Sequence, residues 1–301
     1  MRTTRLFLAF VAAAFLPVAM PARAEPPVPL LWKVSDADSS IYLLGSFHML
    51  TRDDYPLAAD VEAAFADAES LAFELSPEEA NSPGLPAQMA RAALRKRPGT
   101  LQQDLGPQLW SRLEAYAKAN GLPLAQLAAF DPWFIALSVS LTEMARMGLD
   151  PALGLDRHFM DAAARAGKPA AGLEQASGQI AVLAGMTALE QTQMLAESLE
   201  QAEQGPRELR DMHAAWRAGD AERLWNRMAA DMKRDYPALY RRINVERNDA
   251  WLPKLERELA RKDDDVLVVV GALHLLGGDG VVEKLRARGY RVERICSACA
   301  R

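Results

Sequence analysis

Residues 266–280 read VLVVVGALHLLGGDG, an aliphatic run that breaks at Gly271 and delivers His274 three positions later. A continuous β-branched run without alternation predicts a strand buried on both faces, and therefore a central place in a sheet covered by helices. The same figure occurs earlier: YLLGSFHML at 42–50 runs apolar to Gly45 and delivers His48. The chain has 4 histidines, and His48 and His274 share one G-x-x-H spacing after a strand.

Working outward, LLWKVSD and SSIYLLGS flank Asp36-Ala37-Asp38 and predict a β-hairpin whose second strand ends at Gly45–His48. LAADVEAAFADAES then carries apolar residues at helical spacing, and SLAFELS is a short strand ending at Glu74. Strand, helix and strand in that order predict a parallel βαβ unit. GLDRHFMDAAARAGKPAAGLE at 154–174 predicts a helix over Asp156–Ala166, a cap at Gly167 and a strand over Pro169–Glu174. Beyond the 266–270 strand, GDGVVEKLRARG reads as a helix and YRVERIC as a last strand. The intervening stretches, about 77–165 and 178–262, have helical periodicity punctuated by Pro and Gly. The expected architecture is α/β: a small mixed central sheet with a large, mostly helical insertion, in a single domain over 25–301.

A chain of 301 residues, 50% hydrophobic and 25% charged, can bury a large core. The net charge of −5, with no Lys/Arg stripe, argues against a nucleic-acid partner. Residues 1–24 differ from the rest: Arg2 and Arg5 precede LFLAFVAAAFLPVAM, and Ala22-Arg23-Ala24 follows. That is the pattern of a secretory signal cleaved after Ala24. Its apolar run is short of the roughly 20 residues of a spanning helix. The expectation is an exported protein, periplasmic in a Gram-negative cell, with no stable membrane insertion after cleavage. In that oxidising setting Cys296 and Cys299, close to the C-terminus, are expected to form a disulfide.

In parallel sheets, ligands gather outside the carboxyl ends of the strands. His48, Glu74, Glu174 and His274 each end a predicted strand. Two imidazoles and a carboxylate suit a divalent transition metal with positions left open, and such an ion acidifies water and polarises carbonyls, which points to hydrolysis. A metal-free alternative uses one His as general base, the other as donor, and the glutamate to orient them. Glu246-Arg247-Asn248 is expected on a helix, with Arg247 either in an exposed salt bridge or reaching into the site to hold a carboxylate or an oxyanion. His158 and His213, in polar helical contexts, read as surface residues. The sequence holds no G-x-S-x-G, H-E-x-x-H, G-x-G-x-x-G or Walker lysine, which argues against serine hydrolases and nucleotide sites.

These pieces together are familiar. The hairpin with GSFH at 45–48, the FEL strand carrying Glu74, the segment 154–174, ERN at 246–248 and VVVGALHLLGGDGVVEKLRARGY at 268–290 resemble the TraB/GumN family, whose eukaryotic relatives include the Tiki proteases. The resemblance implies a fold akin to the erythromycin-esterase and ChaN-like group. It also implies a metal-dependent peptidase in which His48, His274 and Glu74 act as metal ligands or acid–base groups on Mn, Co or Zn, with Arg247 as a further site residue and a peptide or other small molecule as substrate. Ser46 stands where the family commonly has Thr. A non-enzymatic protein binding haem or iron in the same cleft is the alternative reading.

Overall fold

A computed structural model of the chain describes residues 25–262 and 264–300. The strands are β1 (Leu31–Ser35), β2 (Ser40–Ser46), β3 (Ser70–Phe73), β4 (Ala170–Gly172), β5 (Val266–Gly271) and β6 (Arg291–Arg294). They form one mixed sheet in the order β4-β3-β5-β2-β1-β6. β4, β3, β5 and β2 run parallel, while β1 is antiparallel to both β2 and β6. The predicted signal segment lies outside the described residues. Among those described, no helix is long and apolar enough to cross a membrane.

The aliphatic run at 266–270 explains the order. β5 is buried along its whole length and takes the centre, pairing with β2 on one side and β3 on the other. β2 and β3 are therefore parallel members of one sheet, as the βαβ pattern predicts, but a strand from the far end of the chain lies between them. The hairpin forms because the Asp36 carboxylate accepts hydrogen bonds from the backbone N–H of Asp38 (3.2 Å) and Ser39 (3.1 Å), fixing the turn locally.

Register brings the two G-x-x-H segments together. Gly45 lies opposite Val270 and Ser46 opposite Gly271, so His48 and His274 leave adjacent parallel strands at the same edge, one residue out of step. A side chain at Gly45 would place its Cβ 3.1 Å from Leu30 Cβ and 3.3 Å from the Ala272 Cα, so glycine lets these two exits pack closely.

The helix Leu155–Ala166 stops at Gly167, whose φ of 68° is the left-handed cap that glycine adopts most readily. It buries Leu155, Phe159, Met160 and Ala163, a stripe at helical spacing, in the core around the sheet. β4 is shorter than the predicted 169–174 strand, because the chain bends at Leu173 and Glu174. The Glu174 N–H still bonds the Glu74 carbonyl there (2.9 Å). Most of the chain between the strands is helical and packs partly on itself: Leu113, Ile135, Val139, Leu195 and Leu199 form one apolar cluster, and Trp133, Met186 and Leu239 another. Two π-helical turns, Asn226–Ala230 and Arg241–Val245, interrupt the helical segment that precedes β5. At the C-terminus Cys296 and Cys299 are joined by a disulfide, and Ser297 hydrogen-bonds Asp60, docking this turn on the helix Ala59–Asp67.

Candidate active site

Glu74 is the hub of the strand-end cluster. It sits one residue beyond β3, and its Oε1 accepts the Gly271 N–H at 2.9 Å. The same oxygen lies 3.8 Å from His48 Nε2 and 3.9 Å from His274 Nε2. His48, Glu74 and His274 thus converge across 226 residues of sequence (274 − 48). A Cβ at Gly271 would stand 3.0 Å from His48 Nε2 and 3.1 Å from Glu74 Oε1, so this glycine keeps the centre of the cluster open.

Each imidazole is anchored from behind. His48 Nδ1 donates to Asp156 Oδ2 at 2.7 Å, and the other oxygen of Asp156 accepts from Ser46 Oγ at 2.7 Å. His274 Nδ1 donates to Asn248 Oδ1 at 2.7 Å, and Asn248 Nδ2 donates to the Asp279 carbonyl at 2.9 Å. Both outer nitrogens are thereby committed, and both Nε2 atoms turn toward Glu74. This arrangement, in which the second ring nitrogen is held by a carboxylate or amide, fixes the tautomer and orientation of metal-binding histidines in general.

Arg247, on the helix Glu246–Leu259, enters from the opposite side. Its Nη2 donates to Glu74 Oε2 at 2.5 Å and also contacts Glu174, while its Nε reaches Glu174 Oε1 at 3.2 Å. Its Nη1 donates to His274 Nε2 at 3.0 Å, which makes that nitrogen an acceptor and the ring a neutral Nδ1–H tautomer. Gln179 completes the group, donating to Glu174 at 2.7 Å and Glu74 at 3.2 Å. Glu74 and Glu174 are neighbours in the extended β3–β4 ladder, and Arg247 lies between two carboxylates that would otherwise repel.

The charges follow from these contacts. Burial favours the neutral form of Glu74, but the charges of Arg247 and His48 and the Gly271 N–H outweigh it and hold the carboxyl well below its usual range. His274 is itself lowered to about 3, chiefly by burial, with Arg247 and His48 adding repulsion that the attraction of Glu74 does not overcome. At neutral pH the His274 ring is therefore uncharged, and the positive charge beside Glu74 comes from Arg247 and from His48. His48 behaves oppositely: the Asp156 carboxylate raises it to about 9. Its side chain is 61% exposed, so solvent screens part of that pull.

The predicted residues His48, Glu74, Glu174, His274 and Arg247 all meet here, with the Glu174 carboxylate turned to Arg247 and Gln179. Asp156, Gln179, Ser46 and Asn248 are site members that the sequence reading did not single out for the chemistry. Asn248 had a signal, standing beside Arg247 in the ERN triplet. Asp156 had none that distinguishes it from the acidic residues common in first helical turns. His213, read as a surface residue, is only 16% exposed and bonds buried Asp54 at 3.0 Å. His158 packs half-buried against Tyr55 and Phe159.

The donor set fits a divalent transition ion in kind: two anchored imidazole nitrogens facing an ionised carboxylate. As placed, no group of three His, Cys, Asp or Glu among the described residues encloses an ion, and Arg247 Nη1 makes the contact to His274 that an ion would take. On the exposed side of His48 opens a cavity of about 340 Å³, lined by Phe73, Asn81, Asp156 and Arg157. On its other side is a second cavity of about 250 Å³.

The sequence pattern of the TraB/PrgY/gumN family matches residues 30–294. YbaP of Escherichia coli (strain K12), described as uncharacterized, is 26% identical over 247 residues, covering 81% of this chain and 87% of that protein. YbaP of Shigella flexneri matches to the same extent. No solved structure matches. With nearly all of its described residues matched, from the first strand to the last, the chain belongs to the TraB/PrgY/gumN family.

Proposed function

We propose that this chain is a metal-dependent hydrolase acting on a carbonyl substrate, of the peptidase type. One observation carries the reading: His48, Glu74 and His274 come from three different strand ends, yet both imidazoles are anchored through Nδ1 so that both Nε2 atoms face one Glu74 oxygen. The likeness to the Tiki branch points the same way. His48, Glu74 and His274 are the residues to hold the ion. A divalent transition metal bound there supplies Lewis acidity to a carbonyl and acidifies water.

The remaining roles belong to the chain itself. Asp156 and Asn248 hold the two rings in their ligand orientation. Arg247 is placed to accept negative charge that develops on a substrate oxygen, using the Nη1 group that now rests on His274, while Glu174 and Gln179 keep its other edge fixed. The signal pattern of residues 1–24 supports export. The mature chain recovered from a periplasmic fraction is expected to begin at Glu25, as N-terminal sequencing would read.

The test is hydrolysis of a mixture of short peptides by protein loaded with Mn, Co or Zn, with cleavage read by mass spectrometry. Activity is expected to vanish on chelation, return on metal addition and be absent in His274→Ala. Cleavage unaffected by chelator would instead support the metal-free reading, which the Arg247–His274 contact at 3.0 Å favours: there neutral His274 is the general base and protonated His48 the donor.

A further inference from the structure

The smaller cavity beside His48 is lined mainly by apolar side chains. Met49, Met144, Met212, Met228, Ile243 and Leu273 line it, together with Ser46, His48, Arg247 and His274 of the strand-end cluster. Of these six, only Met49 is buried; the others are half-buried, leaving part of their apolar surface turned toward the open space. They come from the loop after β2, from helices Pro132–Arg146 and Pro206–Arg217, from the 3₁₀ turn Ala272–Leu275 and from both π-helical turns. Each π turn contributes one residue, Met228 from Asn226–Ala230 and Ile243 from Arg241–Val245, and the second ends two residues before Arg247. Single π turns are costly interruptions of a helix and concentrate at functional sites. Both are spent on this wall.

From this convergence we propose that the methionine-lined cavity is the specificity pocket of the active site, taking one straight aliphatic or thioether side chain of the substrate, such as that of norleucine or methionine. The inference rests on the hydrolase reading for what happens next to the bound side chain, but not for the binding. Three features set the chemistry. Outside Ser46, His48, Arg247 and His274, which belong to the strand-end cluster, the lining side chains are apolar, so a polar group lying against them would lose its water without replacement. At about 250 Å³ the space is below that of whole-ligand pockets and suits one side chain rather than a complete ligand. Four thioethers give flexible, polarisable walls that mould to an unbranched chain better than a β-branched surface would. The other cavity beside His48, whose lining includes Asn81, Asp156 and Arg157, then receives the other side of the scissile group.

The pocket can be tested without turnover. In protein labelled at the methionine methyl carbons, N-acetyl-norleucine amide is titrated and the methyl resonances of Met144, Met212 and Met228, assigned by single substitution, are followed by NMR. They are expected to shift in a saturable way, with affinity weakening about fourfold for each methylene removed from the ligand chain. N-acetyl-aspartate amide is expected to leave them in place. Met212→Lys and, to fill the space instead of charging it, Met228→Trp should each abolish the shift while the rest of the spectrum stays dispersed. Absence of a saturable shift, or equal shifts with the aspartate compound, would overturn the proposal. A protein that binds norleucine amide here but hydrolyses nothing would refute the hydrolase reading and leave the pocket standing. Metal-dependent cleavage with no preference for an aliphatic residue would do the reverse.

Discussion

Asp156 sets the character of His48. Its carboxylate is the main cause of the raised imidazole, and it also holds Nδ1 so that Nε2 faces Glu74. Asp156→Asn keeps the shape and removes the charge. The His48 titration, followed by proton NMR, is expected to drop from about 9 toward the ordinary 6.5, and metal affinity to weaken about 10- to 100-fold; an unchanged titration would show that Asp156 does not govern the ring. Gly271 makes a second single-residue test. Because its Cβ would crowd both His48 and Glu74, Gly271→Ala should impair metal binding and activity while far-UV circular dichroism stays that of the parent. The sequence made the two histidines legible because each follows a glycine that ends a strand. The partners behind them were not legible, since Asp156 and Gln179 reach the site only through tertiary packing of the helices that carry them. His213 was misread for the same reason: its polar helical neighbours gave no sign that a buried carboxylate from another loop, Asp54, would lie against it.

At the scale of elements, two buried ion clusters tie the strand exits to the helical layer. The first centres on Asp54, wholly buried in the short turn Arg52–Asp54 after His48. Burial would raise its pKa, but His213, the Thr51 N–H and Arg217 outweigh it and hold it far below the usual carboxylate range. A depressed carboxylate contributes stability that is present above its unfolded value of 3.8 and is lost as pH falls below it. Asp54→Asn is therefore expected to cost about 3 kcal/mol at pH 7 and progressively less below pH 4, measured by denaturant unfolding across pH. A difference independent of pH would contradict the account. The second cluster is Arg247 between Glu74 and Glu174. Arg247→Met leaves two neighbouring part-buried carboxylates without a cation, a loss of about 3 kcal/mol at pH 7. Without the Arg247 charge that helps hold it down, Glu74 is pushed up by burial in the folded variant, so the deficit should shrink as pH is lowered toward 5. The strands themselves were legible element by element, because the 266–270 run and the hairpin turn encode their burial and reversal locally. Placing β5 between β2 and β3 was only half legible: its continuous apolar character asks for the centre, but sequence order suggests that β2 and β3 pair directly.

For the whole molecule, a small parallel core presents one edge, where β2, β3, β4 and β5 all end, to a helical layer several times larger. The α/β class and the size of the helical part follow from the periodicities along the chain. Which helices meet does not, because an apolar stripe marks a face without naming the face it covers. The methionine cavity depends on that unreadable packing and stayed invisible in the sequence for this reason. The proposed function requires this edge to hold a divalent metal through His48, Glu74 and His274. Elemental analysis of purified protein, folded and dialysed after exposure to Mn, Co and Zn in turn, tests that requirement. About one tightly held transition ion per chain is expected in the parent, with His48→Ala and His274→Ala folded but metal-free. Full metal occupancy in both variants, or a parent protein that retains none of the three ions, would contradict it.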